Sequence, residues 1–472
     1  MKVCRPTIGM NVMTQNEKER LHSAALEILA NVGVEVYDDE ALALLKKNGA
    51  SVSGITAKIP ARMIEAAIKS SPGSIKIYDR EGKVKMDLTK GNIYFGTGSD
   101  TPLVLDWETR KHRKNVLNDT VQASIVSDAL PNIDFVMSMG LASDAEIRVS
   151  DIYQVKAMLL NTVKPFIFTA HNERNMDIMI QISEMAKGSP VMEKPNMILY
   201  AEPISPLRHP MESAQKLLLA AEKGVPVAYV PACLIGGGSP VTLAGALAVV
   251  NSELLSALVI HQLKRPGAPF IYGGATPTMD MRNGSCTYAA PEIFLNYACL
   301  ADMARYYDLP VFDAAGCSES NDYDAQAGIE MGYTILAVAL SGGNLIHDVG
   351  FIGCGMIASL EALVAGNETI GCIKRMIKGV NLSQEKFALD EIARVGIGGT
   401  YMNTEHTAMN FREEIWIPEL FNRDGYYSWE GTGSVSFRDK LKKKISRILL
   451  ENKVARLPKD VEGRIEETVK NA

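Results

Sequence analysis

Apolar positions along the chain follow two rhythms that change near residue 130. In the first stretch, Leu21, Ala24, Ala25, Leu26, Ile28 and Leu29 recur at the spacing of one helical face, behind the polar start Asn16-Glu17-Lys18-Glu19. Asp38-Asp39 precedes a second short helix, and Pro60 stands where a third begins. Residues 74–110 alternate instead. Ile75-Lys76-Ile77-Tyr78, Val84-Lys85-Met86 and Asn92-Ile93-Tyr94-Phe95 read as strands. The pattern predicts an N-terminal helical and β-rich elaboration over residues 1–130.

Beyond residue 130, continuous apolar runs begin near Ile133, Pro165, Met197, Val225, Pro269, Pro310 and Asn344. Helical patterns separate most of them, and the spacing is roughly 28–44 residues, close to the repeat of a (β/α)₈ barrel. Strands buried on both faces lose the polar alternation, which is why they read as unbroken apolar runs. An α/β chain with a (β/α)₈ TIM barrel over residues 131–432 is expected. Seven strands are visible. The eighth is either Tyr94-Phe95 or a segment near Gly399–Met402, and a doubly wound open sheet is the competing fold. Residues 433–472 form a charged C-terminal helical extension, with Lys440, Lys442, Lys443 and Lys444 on a solvated face or against an acidic partner.

Composition narrows the function. The chain has 472 residues, 47% hydrophobic and 22% charged, with a net charge of −6. That charge argues against nucleic acid as a partner. The seven cysteines, Cys4, Cys233, Cys286, Cys299, Cys317, Cys354 and Cys372, are odd in number and contain no CxxC pair, which fits a reducing compartment. The N-terminus carries no apolar run of signal-peptide length. The most membrane-like segment, Val241 to Ile260, has Asn251, Ser252 and Glu253 at its centre, so it is expected to be a buried helix. A cytoplasmic protein without a membrane partner is expected. The apolar helices 241–264 and 326–342 are candidate subunit contacts of a homo-oligomer.

In a barrel the chemistry sits at the C-terminal ends of the strands. Those ends carry recurring tyrosines and the carboxylates Glu202, Asp313 and Asp348. Aromatic faces beside a carboxylate form a receptor for a quaternary ammonium cation. Tyr94, Tyr200, Tyr229, Tyr272 and Phe351 are candidates for the faces, unless each is ordinary barrel packing. Gly236-Gly237-Gly238-Ser239 is either a tight turn or a nest of N–H groups for an anion; it lacks the lysine of a nucleotide-binding loop. Gly96-Thr97-Gly98-Ser99-Asp100 is a similar loop. Gln326 and Asp324 begin a helix and are ligand candidates or helix caps. Zinc held by Cys317, Cys354, His347 and Glu202 is a weaker reading, because no ligand pair is closely spaced. No GxSxG elbow is present, and no lysine stands at a strand end.

Several stretches in order resemble the trimethylamine:corrinoid methyltransferase (MttB-type) superfamily: Ser239–Gly273, the MDMRNG segment Met279–Gly284, Pro291–Pro310, Asp324–Tyr333 and Gly343–Gly366. The resemblance implies a (β/α)₈ barrel that moves a methyl group from an amine to the cobalt of a corrinoid (cobalamin) carried by a partner protein, with no tightly bound cofactor of its own and no metal. Trimethylamine-using members carry pyrrolysine near the last barrel strand, whereas Val349 to Gly355 here are standard residues. The chain is therefore similar to the non-pyrrolysine branch, which includes the glycine betaine and proline betaine methyltransferases. On that reading a quaternary amine gives its methyl directly to cob(I)alamin and no acid or base is required. Tyr94, Tyr229, Tyr272 and Phe351 surround the cation, Glu202 or Asp313 balances it, and His347, Gln326 and the Gly236–Gly238 backbone serve the substrate carboxylate. The Gly236–Ser239 loop is also the candidate contact for the corrinoid. A zinc-activated methyltransferase and a non-catalytic betaine- or corrinoid-binding barrel are the alternatives.

Overall fold

The computed structural model describes residues 9–472. Eight short parallel strands close into a ring. They are β1 (Tyr94–Phe95), β2 (residues 135–136), β3 (Phe166–Phe168), β4 (Met197–Ala201), β5 (Val227–Tyr229), β6 (Phe270–Ile271), β7 (Phe312–Ala314) and β8 (Leu345–His347). Neighbours pair in chain order, with Phe166 opposite Met197, Leu199 opposite Val227 and Phe312 opposite Leu345. Single bridges join Val136 to Phe166 and Tyr272 to Val311. The ring closes where Leu345 and Ile346 of β8 pair with Tyr94 and Phe95, and Gly96 bridges to Phe135.

Each strand is followed by a helix: α1 (Leu117–Ala129), α2 (Ser150–Asn161), α3 (Glu173–Lys187), α4 (Met211–Lys223), α5 (Leu243–Lys264), α6 (Pro291–Tyr307), α7 (Ala325–Ser341) and α8 (Leu360–Ile377). This is the expected (β/α)₈ barrel. Tyr94-Phe95 supplies the missing strand, so the barrel begins inside the segment assigned to the N-terminal elaboration and not at residue 131. Its last helix ends at Ile377, well short of residue 432.

Strand parity builds the interior. Ile167, Ile198, Ala228, Ile271, Phe312 and Leu345 point inward and pack on one another. A hairpin of Lys76–Tyr78 and Val84–Asp87 places Ile75, Ile77, Met86 and Leu88 in the same cluster, closing the barrel floor. The outward residues Met197, Leu199 and Val227 pack under the helices.

The N-terminal helices Gln15–Asn31, Asp39–Lys47 and Ala61–Ser70 lie over α5. A Thr14–Glu17 capping box starts the first of them. Covered on both sides, α5 is apolar all round, which explains a helix long and apolar enough to span a bilayer yet mostly buried here. It is thereby removed from the candidate subunit contacts. The C-terminal helices Phe437–Glu451 and Lys459–Lys470 return to the barrel, burying Leu441, Ile445, Ile448, Ile465 and Val469.

Candidate active site

The C-terminal ends of the strands surround a cavity of about 490 Å³. Its lining comes from six of the eight strand ends and from α4. Ser99 and Asp100 follow β1, Thr169 follows β3, and Tyr200 and Glu202 end β4. Ala232 follows β5, Ala275 and Tyr288 follow β6, and His347, Asp348 and Phe351 end β8. Ser213 and Lys216 reach in from the first turns of α4.

On β4 the inward parity of Ile198 continues through Tyr200 to Glu202, so these two point the same way. The Tyr200 hydroxyl donates to Glu202 Oε1 at 2.5 Å. Burial raises the Glu202 carboxyl above its ordinary range, opposed by that hydrogen bond. Asp100 is also raised by burial, against hydrogen bonds from Thr169 and Ser99. His347 stacks on Phe312 with centroids 4.5 Å apart, and its Nδ1 lies 2.8 Å from Asp348 Oδ1. That contact is close but poorly directed, since Nδ1 has no aligned hydrogen-bond partner. Lys216 donates to the Ala170 carbonyl at 2.6 Å, and burial lowers its pKa.

Two backbone features put the acids in the mouth. Asp100 and Asp348 both have positive φ, 68° and 75°. Aspartate tolerates this left-handed turn better than most residues, and it swings both carboxylates back over the strand ends. Gly98 makes room for one of them. A Cβ there would stand 2.3 Å from Asp348 Oδ1 and from Phe351 Cε2.

Of the residues expected from sequence, Glu202, His347 and Phe351 line the cavity together, as does Tyr200. The others lie elsewhere. Tyr94 points to the barrel floor, where its oxygen accepts from the Asp87 N–H at 3.0 Å. Tyr229 faces the helices and meets His209 Nδ1 at 2.7 Å. Tyr272 likewise faces outward and donates to Asn251 at 3.0 Å. Asp313 is buried without a hydrogen-bond partner for either oxygen, and burial pushes its pKa up to about 8. Burial thus opposes its charged form, and Asp313 does not line the cavity, so it is not placed to balance a cation there. Gln326 is exposed and donates to Glu330.

The Gly236–Ser239 loop is a closed turn. The N–H of Gly236 donates to Ser239, and those of Gly237 and Gly238 donate to Leu234, so these amides are spent internally. The zinc set does not assemble. Cys317 is buried, Cys354 bonds Glu319 Oε2 at 2.6 Å, and neither lines the cavity. Among the described residues, no three His, Cys, Asp or Glu side chains form a ligating group.

Sequence reasoning missed Lys216 and Tyr288. Lys216 reads as the polar face of a helix, and only its spacing from Ser213 places both on the side facing the mouth. Tyr288 comes late in a long loop, after the hairpin pair Thr278–Met279 and Cys286–Thr287, and no periodicity marks it.

The lining thus joins three carboxylates, Asp100, Glu202 and Asp348, to the aromatic side chains Tyr200, Tyr288 and Phe351, with Lys216 as a cation at one side. Such a site suits a small organic cation. Comparison with known proteins agrees in class. The trimethylamine methyltransferase (MTTB) family profile matches residues 1–471. Trimethylamine methyltransferase MttB of Methanosarcina thermophila is 30% identical, covering 96% of each chain. Glycine betaine methyltransferase of Desulfitobacterium hafniense (strain Y51) is 27% identical over 89% of this chain and 88% of that one. The crystal structure of the Methanosarcina barkeri monomethylamine methyltransferase MtmB superposes with a TM-score of 0.53 at 10% identity, covering 95% of this chain and 89% of that one, and shares the fold. The chain belongs to the trimethylamine methyltransferase family and is a methyltransferase.

Proposed function

We propose that this chain transfers an N-methyl group from a small quaternary ammonium compound of the betaine type to a corrinoid carried by a separate partner protein. The observation that carries this reading is the convergence of Asp100, Glu202 and Asp348 with the rings of Tyr200, Tyr288 and Phe351 in one cavity. A quaternary ammonium has no N–H to donate, so ring faces and negative charge must recognise it. Lys216 and His347, in the same lining, supply donors for the carboxylate of a betaine. The 27% identity to a glycine betaine methyltransferase and the standard residues at Val349 to Gly355 support the same class.

The chemistry asks little of the protein in proton transfer. Breaking the N–CH₃ bond returns the electron pair to nitrogen and releases a neutral tertiary amine, so the leaving group needs no acid. The corrinoid, when reduced and presented by its partner, supplies the nucleophile that takes the methyl group. The chain's own residues hold the cation, point one methyl group toward the open mouth and keep water from the cation. The rim suits a docked protein. Loops after five strands expose the apolar residues Leu141, Ile147, Ile204, Val241, Met281 and Met356.

The test supplies reduced corrinoid protein, or free cob(I)alamin, with a panel of betaines and with trimethylamine, and follows the absorbance change on methylation. Turnover with a betaine and none with trimethylamine is expected. Turnover with trimethylamine alone, or tight betaine binding without demethylated product, overturns the proposal.

A further inference from the structure

Of the rings of Tyr200, Tyr288 and Phe351 in the cavity wall, two are set by strand pairing. Tyr200 belongs to β4, and Phe351 pairs with Ala358 just past β8. Tyr288 has no such support. It lies in the loop of residues 272–290, past the hairpin pair Thr278–Met279 and Cys286–Thr287 and shortly before Pro291 opens α6. A ring on an unpaired loop stays in the wall only if other bonds hold its backbone there. One carboxylate supplies them. Glu319, half-buried in the loop after β7, accepts the N–H groups of Tyr288 and Ala289 at 2.7 and 2.6 Å, both on Oε1. Its Oε2 accepts from the thiol of Cys354, in the loop after β8. Gly355, next along and itself in the cavity lining, lies against the Tyr288 ring: a Cβ there would meet Cε2 at 3.6 Å. The same side chain thus fixes the backbone that carries the ring and the backbone on which the ring rests.

The physical chemistry favours a firm anchor. Hydrogen bonds to a carboxylate are about twice as strong as neutral ones. The two N–H groups stand at the entry to α6, where the helix dipole favours negative charge, and the N-cap Ala290 has no side-chain acceptor of its own. Burial, and after it Glu319, push the Cys354 thiol up to about 12, so it stays protonated and donates. Glu319 is held in turn. Glu330 Oε2, on α7, accepts the Glu319 N–H at 2.8 Å and the Ser318 hydroxyl at 2.6 Å. Tyr333, also on α7, donates its hydroxyl to the Ala289 carbonyl. The N–H groups of Gly353 and Cys354 donate to the carbonyls of Ser320 and Ser318 at 2.7 and 2.9 Å. The loops after β6, β7 and β8 therefore meet at Glu319, which does not itself line the cavity.

We infer that Glu319 is a positioning residue for the methyl donor: it holds the Tyr288 ring in the cavity wall and thereby sets the affinity for the cation. The role rests on the cation reading of the cavity proposed above. Glu319 acts through Tyr288, so its effect on the donor vanishes where that ring is missing.

Two measurements on the full chain test this. The first needs no substrate. In Glu319→Ala the amides of Tyr288 and Ala289 should lose protection from hydrogen exchange, while those of the barrel strands keep theirs. The second follows methyl transfer from a betaine to free cob(I)alamin. Glu319→Ala should raise KM for the donor about 10-fold and leave kcat within about twofold, the loss of one desolvated ring contact. Glu319→Gln keeps an acceptor for the two N–H groups and should restore most of the affinity. Glu319→Asp keeps the charge but withdraws it from those groups; it should raise KM as well, and it carries the test where the alanine variant fails to fold. Tyr288→Ala alone and together with Glu319→Ala or Glu319→Asp should give one common KM. Effects that add in the double variant overturn the inference, as do unchanged amide protection, an unchanged KM, or a loss confined to kcat. A wild-type chain that turns over no quaternary donor overturns the cation reading and with it the effect on affinity, while the exchange still reads the tether between Glu319 and Tyr288 by itself.

Discussion

Tyr200 and Glu202, two residues apart on one strand, share a 2.5 Å hydrogen bond at the floor of the barrel mouth. The bond ties an aromatic face to a carboxylate and favours the ionised acid, against the burial that raises its pKa. Binding of a cation should therefore weaken as pH falls through the Glu202 pKa. Tyr200→Phe removes the bond that lowers this pKa, so the acid limb of kcat/KM should move to higher pH. Glu202→Gln should remove that limb and cost about 10–100-fold in kcat/KM, mainly through KM. An acid limb left in place in both variants would contradict the assignment.

Gly98 is expected to tolerate no side chain. In Gly98→Ala the new Cβ would meet Asp348 and the Phe351 ring at 2.3 Å. Asp348 and Phe351 line the cavity, so the methyl group moves the site as well as straining the loop, at about 1–3 kcal/mol. Folded protein with severely reduced methyl transfer is expected. Near-normal kinetics would show that the loop relaxes freely.

The tyrosines divide into two sets that kinetics can separate. Tyr229→Phe leaves buried His209 Nδ1 without its partner, and Tyr272→Phe removes the shorter of two bonds to Asn251 Oδ1, leaving a 3.3 Å bond from Tyr307. Each should cost about 1–2 kcal/mol of stability and leave KM unchanged. Tyr200→Ala and Tyr288→Ala, in the cavity, should raise KM for a cationic substrate. Denaturation midpoints and steady-state kinetics on the four variants would check the division, and a KM effect at Tyr229 or Tyr272 would break it.

That division also shows what the sequence carried. The strands after Ile133 were legible because burial on both faces leaves an unbroken apolar run. Tyr94-Phe95 was ambiguous because only two residues pair and they sit in an alternating segment. At the strand ends, composition pointed to aromatic and acidic residues but not to which way each faces. On β5 it is Ala228 that points inward and Tyr229 outward, and after β6 Tyr272 faces out behind Ile271, whereas on β4 Tyr200 points in. Parity depends on register around the ring, which no single run encodes. Lys216 and Tyr288 reach the cavity from a helix and a loop, where no strand pattern applies.

Glu253 offers a test of how the mouth is held. It is buried on α5, and its carboxylate accepts from the Leu207 N–H at 2.7 Å and the Ser205 hydroxyl at 2.9 Å. Those residues belong to the loop after β4, which also carries Pro203, Ile204 and Pro210 of the cavity lining. Burial raises the pKa of Glu253 from an ordinary 4.5 to about 7. Between those values the folded chain binds more protons than the unfolded chain, so stability falls as pH rises through the window and stays lowest above it. Glu253→Gln keeps an acceptor for the loop and removes the buried charge. The variant should match the wild-type chain near pH 5 and exceed it by on the order of 2 kcal/mol near pH 8. Urea midpoints at the two pH values would show it. A difference that does not change with pH would place the titration elsewhere and leave Glu253 as a neutral tether of the loop.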